Sequence, residues 1–447
     1  MRIDDVTLWH VSVPLPAPFY PSWIPGLPQT ENRFTLVRIG LACGAAGWSA
    51  GPAMAKERQG MGSLLGPYLL GERADDLESI RQRLREMSYL GWHLGWLEAA
   101  CWDAVGRARG VPVWQLLGGK PGRVQLYAST GDVKDGKARV VELEKRRAEG
   151  FTSAKLRVHK ATLAEDLEQI EVCAQAMGPD FKMGIDANQG WRVAVVADAP
   201  AWDVARAVAF ARRAGELGYK WLEEPLANDD YDGMAELRRQ VEIPIAGAEL
   251  NHHGLPEIEV MLHKRCLDVY QPDAVFAGGI SETWRIVQAV ARHGARYTPH
   301  TWTNGIGFAI NLALFAASPW RDDTVLEYPL SEPGWIAEFR DGLLLKPWHH
   351  ERGWLDLPTA PGLGFDIDGG QLWRHGSQFY RGTKLRVSLA AVLDKGLATA
   401  KEIGKVRDQR LAARRVELQK RTAAGEDLLS AYAAPAVAVH TGWKLQA

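Results

Sequence analysis

The sequence predicts an α/β protein: a modified (β/α)₈ barrel that carries an α+β capping domain. Between residues 123 and 329, short apolar runs alternate with amphipathic helical patterns, which is typical of a parallel barrel and not of an open sheet. The 447 residues are too many for one ordinary compact domain. Hydrophobic residues make up 46% of the chain and charged residues 24%, a composition that allows a large core.

The first part of the chain, residues 1–122, is expected to form the capping domain. Two runs rich in β-branched residues predict the strands of a hairpin, at 6–13 and 34–41. An apolar face with helical spacing predicts a helix over 97–110, and Gly110 marks its end. The capping domain therefore combines a small antiparallel sheet with at least one helix.

A long proline-rich loop is predicted between the two hairpin strands, over residues 14–29. Long ordered loops are often functional. Tyr20 and Trp23 in this loop are therefore candidate substrate-binding residues. A simple surface connection is an equally good interpretation.

The barrel, residues 123–329, contains eight predicted strands, each a short apolar run: 124–129, 153–159, 182–188, 220–225, 243–249, 268–273, 295–300 and 324–329. Amphipathic helices are predicted between them, for example over 203–218 and 282–295. In such a barrel the strand ends converge on the C-terminal mouth, where active sites lie.

The rest of the chain is expected to lie outside the barrel. Residues 330–384 are interpreted as a return segment that packs on the capping domain, and residues 385–447 as a C-terminal helical extension. Within the extension, the Lys/Arg-rich stretch 400–421 predicts a helix. A solvated helix is the favoured interpretation of this charge run, and a contact in a homo-oligomer is the alternative.

Six predicted strands end in a side chain that is suited to metal binding or proton transfer: Asp186, Glu223, Glu249, Asp273, His300 and Glu327. From Glu223 onward, successive members are 24 to 27 residues apart, which is one strand and one helix each. An isolated acid of this kind is usually a salt-bridge partner or a helix cap. Six residues in register predict a shared site at the barrel mouth.

Three carboxylates on neighbouring strands predict a metal site formed by Asp186, Glu223 and Glu249. Converging carboxylates repel one another unless a cation neutralises them. Oxygen ligands without cysteine or clustered histidine favour Mg²⁺, or Mn²⁺, over zinc.

Asp273 and His300 lie on neighbouring strands and predict a catalytic pair. A carboxylate bonded to one ring nitrogen fixes the tautomer and supports the protonated imidazole. The other nitrogen then faces the substrate as base or acid. Glu327 is expected to donate a hydrogen bond to an enediolate if it is protonated, as a buried carboxyl group can be.

Alternating residues on the second barrel strand, Lys155, Arg157 and His159, point to one side, which inside a barrel means inward. The cationic pair is expected to hold a substrate carboxylate opposite His300, and His159 is a further candidate for substrate binding. A buried lysine beside a cation is expected to have a lowered pKa, so that Lys155 is a candidate base. An outward, solvated face is the alternative.

Several classes of function are disfavoured. A formal net charge of −1 gives no excess of positive charge that would attract nucleic acid or an anionic membrane. The N-terminal residues do not resemble a signal peptide, and no apolar run is long enough for a membrane helix. The four cysteines, at 43, 101, 173 and 266, match no metal or redox spacing and are expected to be buried thiols in the cytoplasm.

Four motifs resemble the mandelate racemase and muconate lactonizing enzyme branch of the enolase superfamily: the segment 97–119, DANQGW at 186–191, WLEEP at 221–225 and PGLG at 361–364. The resemblance covers nearly the whole chain to about residue 370. It implies Mg²⁺ on the three acids named above, with Glu224 as a neighbour and not a ligand. It also implies that the loop at 18–30 contacts the distal part of the substrate, and Asn188 is a further candidate for substrate contact.

One residue departs from the pattern of this family. Its racemases commonly have Lys-x-Lys on the second strand, with the second lysine as a base, and here that position is Arg157. Arginine stays protonated and is a poor base. The resemblance therefore implies one-base chemistry on a small carboxylate, first of all dehydration of an acid sugar to a 2-keto-3-deoxy acid. A racemase, epimerase or cycloisomerase on the same scaffold and a non-catalytic member are the alternatives.

Overall fold

The computed structural model describes residues 1–53, 61–91, 93–191, 193, 195–197 and 200–433. Its strands in chain order are β1 Ile3–Phe19, β2 Gln29–Leu41, β3 Ala46–Pro52, β4 Arg123–Ser129, β5 Ser153–Arg157, β6 Lys182–Asp186, β7 Leu222–Glu223, β8 Ile245–Gly247, β9 Val269–Tyr270, β10 Arg296–Tyr297, β11 Leu326–Pro329, β12 Trp354–Asp356 and β13 Gly376–Thr383.

Its α-helices are α1 Met61–Leu69, α2 Leu77–Ser88, α3 Glu98–Arg109, α4 Val113–Leu116, α5 Gly136–Ala148, α6 Leu163–Met177, α7 Val204–Glu216, α8 Tyr231–Gln240, α9 Leu255–Lys264, α10 Ile280–Arg292, α11 Gly305–Ala317, α12 Ala337–Arg340, α13 Gly369–His375, α14 Lys384–Lys395, α15 Leu397–Ala423 and α16 Ser430–Ala433.

The capping domain is built on an antiparallel sheet of strand order β13-β1-β2-β3. The predicted hairpin of β1 and β2 is confirmed, but the predicted loop 14–29 is too long, because β1 continues to Phe19 and pairs Pro14 with Glu31. Proline favours extended backbone and is tolerated at strand edges. The connection between the two strands therefore spans only residues 20–28.

The predicted helix at 97–110 is confirmed as α3, which follows a 3₁₀ turn at Gly95–Leu97. It ends at Gly110, whose φ of 70° caps the helix in the left-handed conformation that glycine adopts without strain. Its first residue, Glu98, accepts hydrogen bonds from the backbone and hydroxyl of Ser281 on α10. The capping domain is thereby joined to the barrel.

The predicted (β/α)₈-type fold is confirmed. Eight parallel strands are arranged in the order β10-β9-β8-β7-β6-β5-β4-β11. Between β10 and β11 the Thr298 hydroxyl donates to the Val325 carbonyl at 2.9 Å, which bridges the seam. The first helix after the eighth strand, α12, has only four residues, so the barrel is modified there.

The observed ladders are shorter than the predicted strands, most clearly at β7, which covers two of the six residues in 220–225. The reason is that the backbone turns at the mouth: Asn188, Glu224 and Ala248 have φ values of 47°, 47° and 74°. Non-glycine residues rarely adopt positive φ, and such conformations cluster at functional sites. The predicted helices 203–218 and 282–295 are confirmed as α7 and α10.

The C-terminal part returns to the capping domain, where β13 pairs with β1. The Lys/Arg-rich helix is confirmed as α15, but it is not simply a solvated helix. Arg407 donates to the carbonyls of Pro67 and Leu70, and Arg414 pairs with Asp76 at 2.8 Å. Arginines spaced along one face thus fasten the extension to the capping domain.

The core is continuous through the capping domain and the barrel. Three of the four cysteines are buried, but Cys43 is exposed, so the prediction of four buried thiols is wrong at that position. Cys43 lies in the tight turn between β2 and β3, where the chain has no core to face. None of the described helices has the length and apolarity needed to cross a membrane.

Candidate active site

The six polar strand ends meet at the mouth of the barrel and are all buried: Asp186, Glu223, Glu249, Asp273, His300 and Glu327. Above them lies a cavity of about 570 Å³, and Arg157, Glu249 and His300 form part of its floor. Residues 29–34 and 51–52 of the capping domain line its other side. These six predicted residues are therefore brought together in one site between the two domains.

Lys155 is the central cation of this site. Its Nζ lies 2.5 Å from Glu223, 2.8 Å from Glu327 and 3.4 Å from Asp186. Burial opposes the charged form of Lys155, but the carboxylates of Glu223 and Glu327 outweigh it and raise the pKa. The expectation of a lowered pKa was wrong because carboxylates, and not Arg157, dominate its surroundings.

Arg157 points into the same site. Its Nε donates to the Thr130 carbonyl at 2.7 Å, and its Nη1 binds Asp186 and, at 3.2 Å, Asn188. Its Nη2 is buried and has no hydrogen-bond partner among the described residues. This guanidinium therefore keeps one donor available beside the cavity.

His300 and Asp273 form a hydrogen-bonded pair, with Nδ1 of the imidazole 3.0 Å from the Asp273 carboxylate. The other oxygen of Asp273 accepts from the Asn311 amide at 2.7 Å and from the Val275 backbone at 2.8 Å. Nε2 of His300 lies 3.4 Å from Glu249. Although burial opposes its charge, Glu249, Glu327 and Asp273 raise the pKa of His300 to about 9.

Glu327 only accepts hydrogen bonds in this structure. Its oxygens receive the Ser129 hydroxyl at 2.7 Å and the Thr301 backbone N–H at 2.6 Å, besides Lys155. Burial favours the neutral acid, but Lys155 and His300 outweigh it and lower the pKa of Glu327 to about 2. The predicted donation to an enediolate, which is conditional on a protonated carboxyl group, stays a prediction.

The carboxyl groups of Glu223, Glu224 and Glu249 are buried close to other carboxylates, and their pKa values are raised. Burial raises the pKa of Glu223 to about 7, since Lys155 compensates only in part and Asp186 adds to the effect. Burial and the charges of Glu249 and Asp186 raise the pKa of Glu224 well above its usual value, and both of its oxygens lack hydrogen-bond partners among the described residues. Burial also raises the pKa of Glu249.

This charge balance fits a divalent cation. The carboxyl groups of the site outnumber its cations Lys155, Arg157 and His300, and the pKa values of Glu223, Glu224 and Glu249 are raised. Oxygen donors of this kind suit Mg²⁺ or Mn²⁺. Asp186, by contrast, is already ionised, because Arg157 and Lys155 outweigh burial and lower its pKa.

The three predicted ligands are not preassembled. In the part of the chain that the structure describes, no three Asp, Glu, His or Cys side chains are placed to hold a metal ion together. Lys155 lies between Asp186 and Glu223 and draws both carboxylates toward itself. To bind there, a cation would have to replace Lys155 as the partner of at least one of these carboxylates.

Two neutral side chains hold Glu223 from inside the barrel. Its Oε2 accepts from the Trp221 indole N–H at 3.2 Å and from the Gln271 amide at 2.9 Å, which leaves Oε1 for Lys155. Sequence reasoning missed both residues. Both could have been predicted from the alternation of side chains along a strand, because each lies two residues from a predicted site residue and faces the same side of its strand.

The loop of residues 20–28 reaches the barrel through Ser22, another residue that the sequence did not reveal. The Ser22 hydroxyl donates to Asn188 at 2.5 Å, and the Ser22 carbonyl lies 3.0 Å from Nδ1 of His159. Trp23 lines the cavity. Tyr20 does not line it and is 54% exposed, because β1 ends just before it and directs it outward.

An aromatic wall closes one side of the cavity. Trp302 stacks on Phe19 and on Trp335 with ring centroids 5.7 and 5.6 Å apart, and Trp23 meets the Trp302 ring at 5.3 Å. The Arg157 guanidinium lies 5.4 Å from the Trp23 ring and 5.5 Å from the Trp302 ring. Trp302 follows His300 by two residues, whereas nothing in the sequence signals that Trp335 reaches the site.

Residues 6–118 match the mandelate racemase / muconate lactonizing enzyme N-terminal domain, and residues 138–371 match the enolase C-terminal domain-like family. Together these matches include most of the capping sheet, barrel strands β5 to β11 and all of the predicted site residues. Residues 372–447 lie beyond both.

Characterised relatives include sugar-acid enzymes. The chain is 31% identical to a D-galactarolactone cycloisomerase of Agrobacterium fabrum over 76% of its own length and 90% of that protein. It is 30% identical to an arabinonate dehydratase of Saccharolobus solfataricus over 61% of its length and 69% of that protein. The crystal structure of the 3,6-anhydro-D-galactonate cycloisomerase of Zobellia galactanivorans aligns with a TM-score of 0.69 and 26% identity, covering 84% of this chain and 100% of the other.

Proposed function

The chain belongs to the mandelate racemase / muconate lactonizing enzyme family of the enolase superfamily, and on that premise we propose that it dehydrates an acid sugar to a 2-keto-3-deoxy acid. Its relatives are dehydratases and a cycloisomerase, so it is an enzyme of this superfamily. The dehydratase assignment is supported above all by one observation: His300, which is paired with Asp273, lines the same cavity as Arg157, a cation that cannot act as a second base.

Mg²⁺, or Mn²⁺, would be held by Asp186, Glu223 and Glu249. When bound, it supplies positive charge that polarises the substrate carboxylate and makes the α-proton more acidic. The buried, charge-crowded acids support this assignment. Lys155 and the free Nη2 of Arg157 add donors for the same carboxylate.

His300 is assigned both proton transfers. Because the pKa of His300 is about 9, its neutral form is the minor form near neutral pH. In that form Nε2 accepts the α-proton, and the electron pair of the C–H bond passes into the enediolate. The same nitrogen then returns the proton to the β-hydroxyl, so that the C–O bond breaks and water leaves. The resulting enol tautomerises to the 2-keto acid. Asp273, fixed by Asn311, keeps Nδ1 protonated throughout.

Arg157 argues against two-base racemisation. Despite burial, Asp186 and other carboxylates raise its pKa further, so it stays charged and does not accept a proton. A cycloisomerase on the same scaffold is the second candidate, because one relative with that activity is 31% identical to this chain. Both reactions begin with removal of an α-proton, and they differ in whether water is lost.

The test is formation of keto acid from a panel of acid sugars and their lactones, with and without Mg²⁺. We expect Mg²⁺-dependent keto acid with at least one acid sugar, and none with His300→Asn. Ring opening of a lactone without loss of water would favour the cycloisomerase. Deuterium incorporation from solvent at the α-carbon, without keto acid, would favour an epimerase. Neither product nor exchange with any compound would contradict an enzymatic role on acid sugars.

A further inference from the structure

One apolar face of the C-terminal extension is not covered by any described residue. Along α14, Leu385, Leu389 and Leu393 are 78%, 56% and 80% exposed, and Leu397 at the start of α15 is 57% exposed. Residues four apart share one face of a helix. Val387 of α14 packs against the core, on the side of the helix opposite the leucines. We call Leu385, Leu389 and Leu393 the leucine face.

The extension is held firmly enough to present this face. α14 and α15 form a hairpin that turns at Gly396, whose φ is 80°, and Lys384 at the start of α14 lies 3.8 Å from Asp408 of α15. Arg407, Arg410 and Arg414 bind the capping domain. A mobile tail would not need three anchored arginines, whereas a docking surface needs a fixed position.

We propose that the leucine face is an interface between two copies of this chain, in which the α14 helices pair antiparallel about a twofold axis near Leu389. The face is self-complementary, because a stripe centred on Leu389 places Leu385 of each copy against Leu393 of the other. The same pairing brings Lys384 to the level of Asp394 of the other copy, so opposite charges approach each other. A parallel pairing would bring lysine to lysine.

The available area suits such a pairing. The three leucines of the face supply on the order of 300 Å² of apolar area per copy, at roughly 100 Å² per aliphatic side chain. Over two copies this is about 600 Å² of apolar area. Since slightly more than half of a typical interface is apolar, the whole contact would bury about 1,000 Å², the lower limit of a specific interface. Exposed apolar patches of this size mark contact sites.

The first test is a change of assembly size. In sedimentation velocity, the full-length chain with Leu385→Glu, Leu389→Glu and Leu393→Glu together is expected to form a smaller assembly than the wild type. These side chains are exposed, so circular dichroism should be unchanged. Leu90→Glu is the matched control, since Leu90 is 67% exposed and follows α2. An unchanged mass in the triple variant would overturn the proposal.

The second test is a cross-link. In a Cys43→Ser background, Leu389→Cys is expected to form a disulfide-linked dimer on mild oxidation, because the twofold axis brings the two copies of this position within disulfide reach. Leu90→Cys should not do so. Absence of the linked dimer would overturn the proposal. The proposal would also be overturned if the cysteine introduced at position 389 reacted with an alkylating reagent only after residues 434–447 were removed, since those residues would then cover the face.

Discussion

At the scale of single residues, Glu223 shows how neutral groups position a charged one. Trp221 and Gln271 occupy one of its oxygens and direct the other toward Lys155. A carboxylate fixed in this way has less freedom to lose when it binds a cation, and partners of metal ligands commonly matter for affinity.

Gln271→Leu is therefore expected to weaken Mg²⁺ binding by about 10- to 100-fold. The substitution keeps the volume but removes the donor to Glu223. Calorimetric titration of metal-free protein measures the change. Gln125→Leu is the matched control, since Gln125 donates to Thr152 away from the acids. Equal Mg²⁺ affinities of the two variants would show that Gln271 does not position Glu223.

The raised pKa of Glu223 predicts that Mg²⁺ binding depends on pH. The pKa of Glu223 is raised to about 7, so below that pH the cation must displace a proton. Affinity is expected to fall by up to about tenfold per pH unit as the pH decreases from about 7, with proton release on binding. Titrations in two buffers of different ionisation enthalpy detect the released proton. A dissociation constant unchanged between about pH 6 and about pH 8, without proton release, would contradict this charge balance.

Site residues could be predicted where strand ends recur at regular intervals, as for Glu249, Asp273 and His300. Their protonation states could not. The pKa of Lys155 was predicted in the wrong direction, because a pKa depends on which charges lie within a few ångströms. Neither burial nor strand register reveals that Lys155 lies beside Glu327. Trp335 comes from the return segment, whose path no periodicity describes.

At the scale of elements, the capping domain and barrel are joined by a buried ion pair. Arg81 of α2 lies 2.7 Å from Glu282 of α10, and both side chains are buried. Glu282 also accepts from the Leu255 backbone at the start of α9. The cavity lies between the same two domains, so this contact helps to fix its shape.

Removing Arg81 leaves the buried carboxylate of Glu282 with Arg285, 2.9 Å away, as its remaining cation. Arg81→Ala is accordingly expected to lower the free energy of unfolding by about 1.5–3 kcal/mol, the value of a hydrogen bond to a charged group. Urea denaturation measures this loss. Arg85→Ala on the same helix, where the side chain is less buried, serves as the control and should cost less than about 1 kcal/mol. Similar losses in both variants would mean that the pair does not join the domains.

Strands and helices could be predicted from the sequence where their buried residues recur with a regular period. The eight strands and the long helices between them follow from that periodicity. The extent of β1 did not follow, because prolines that usually mark loops here continue a strand. The short α12 after the eighth strand and the docking of α15 depend on contacts between distant segments, which local patterns do not record.

At the scale of the whole molecule, the capping domain and the barrel share one core and enclose one charged cavity. The barrel supplies the acids and the His300–Asp273 pair, and the capping domain lines the other side of the cavity. Low polarity around the site strengthens every charge interaction inside it. The function proposed for the chain depends on a cation entering this enclosure.

Titration of EDTA-treated protein with Mg²⁺ tests that claim most directly. Calorimetry is expected to show one binding event per chain in the wild type and none in Asp186→Asn or Glu249→Gln, while Glu242→Gln, outside the site, should bind as the wild type does. No uptake of Mg²⁺ or Mn²⁺ by the wild type, or uptake unaffected by either substitution, would contradict the account.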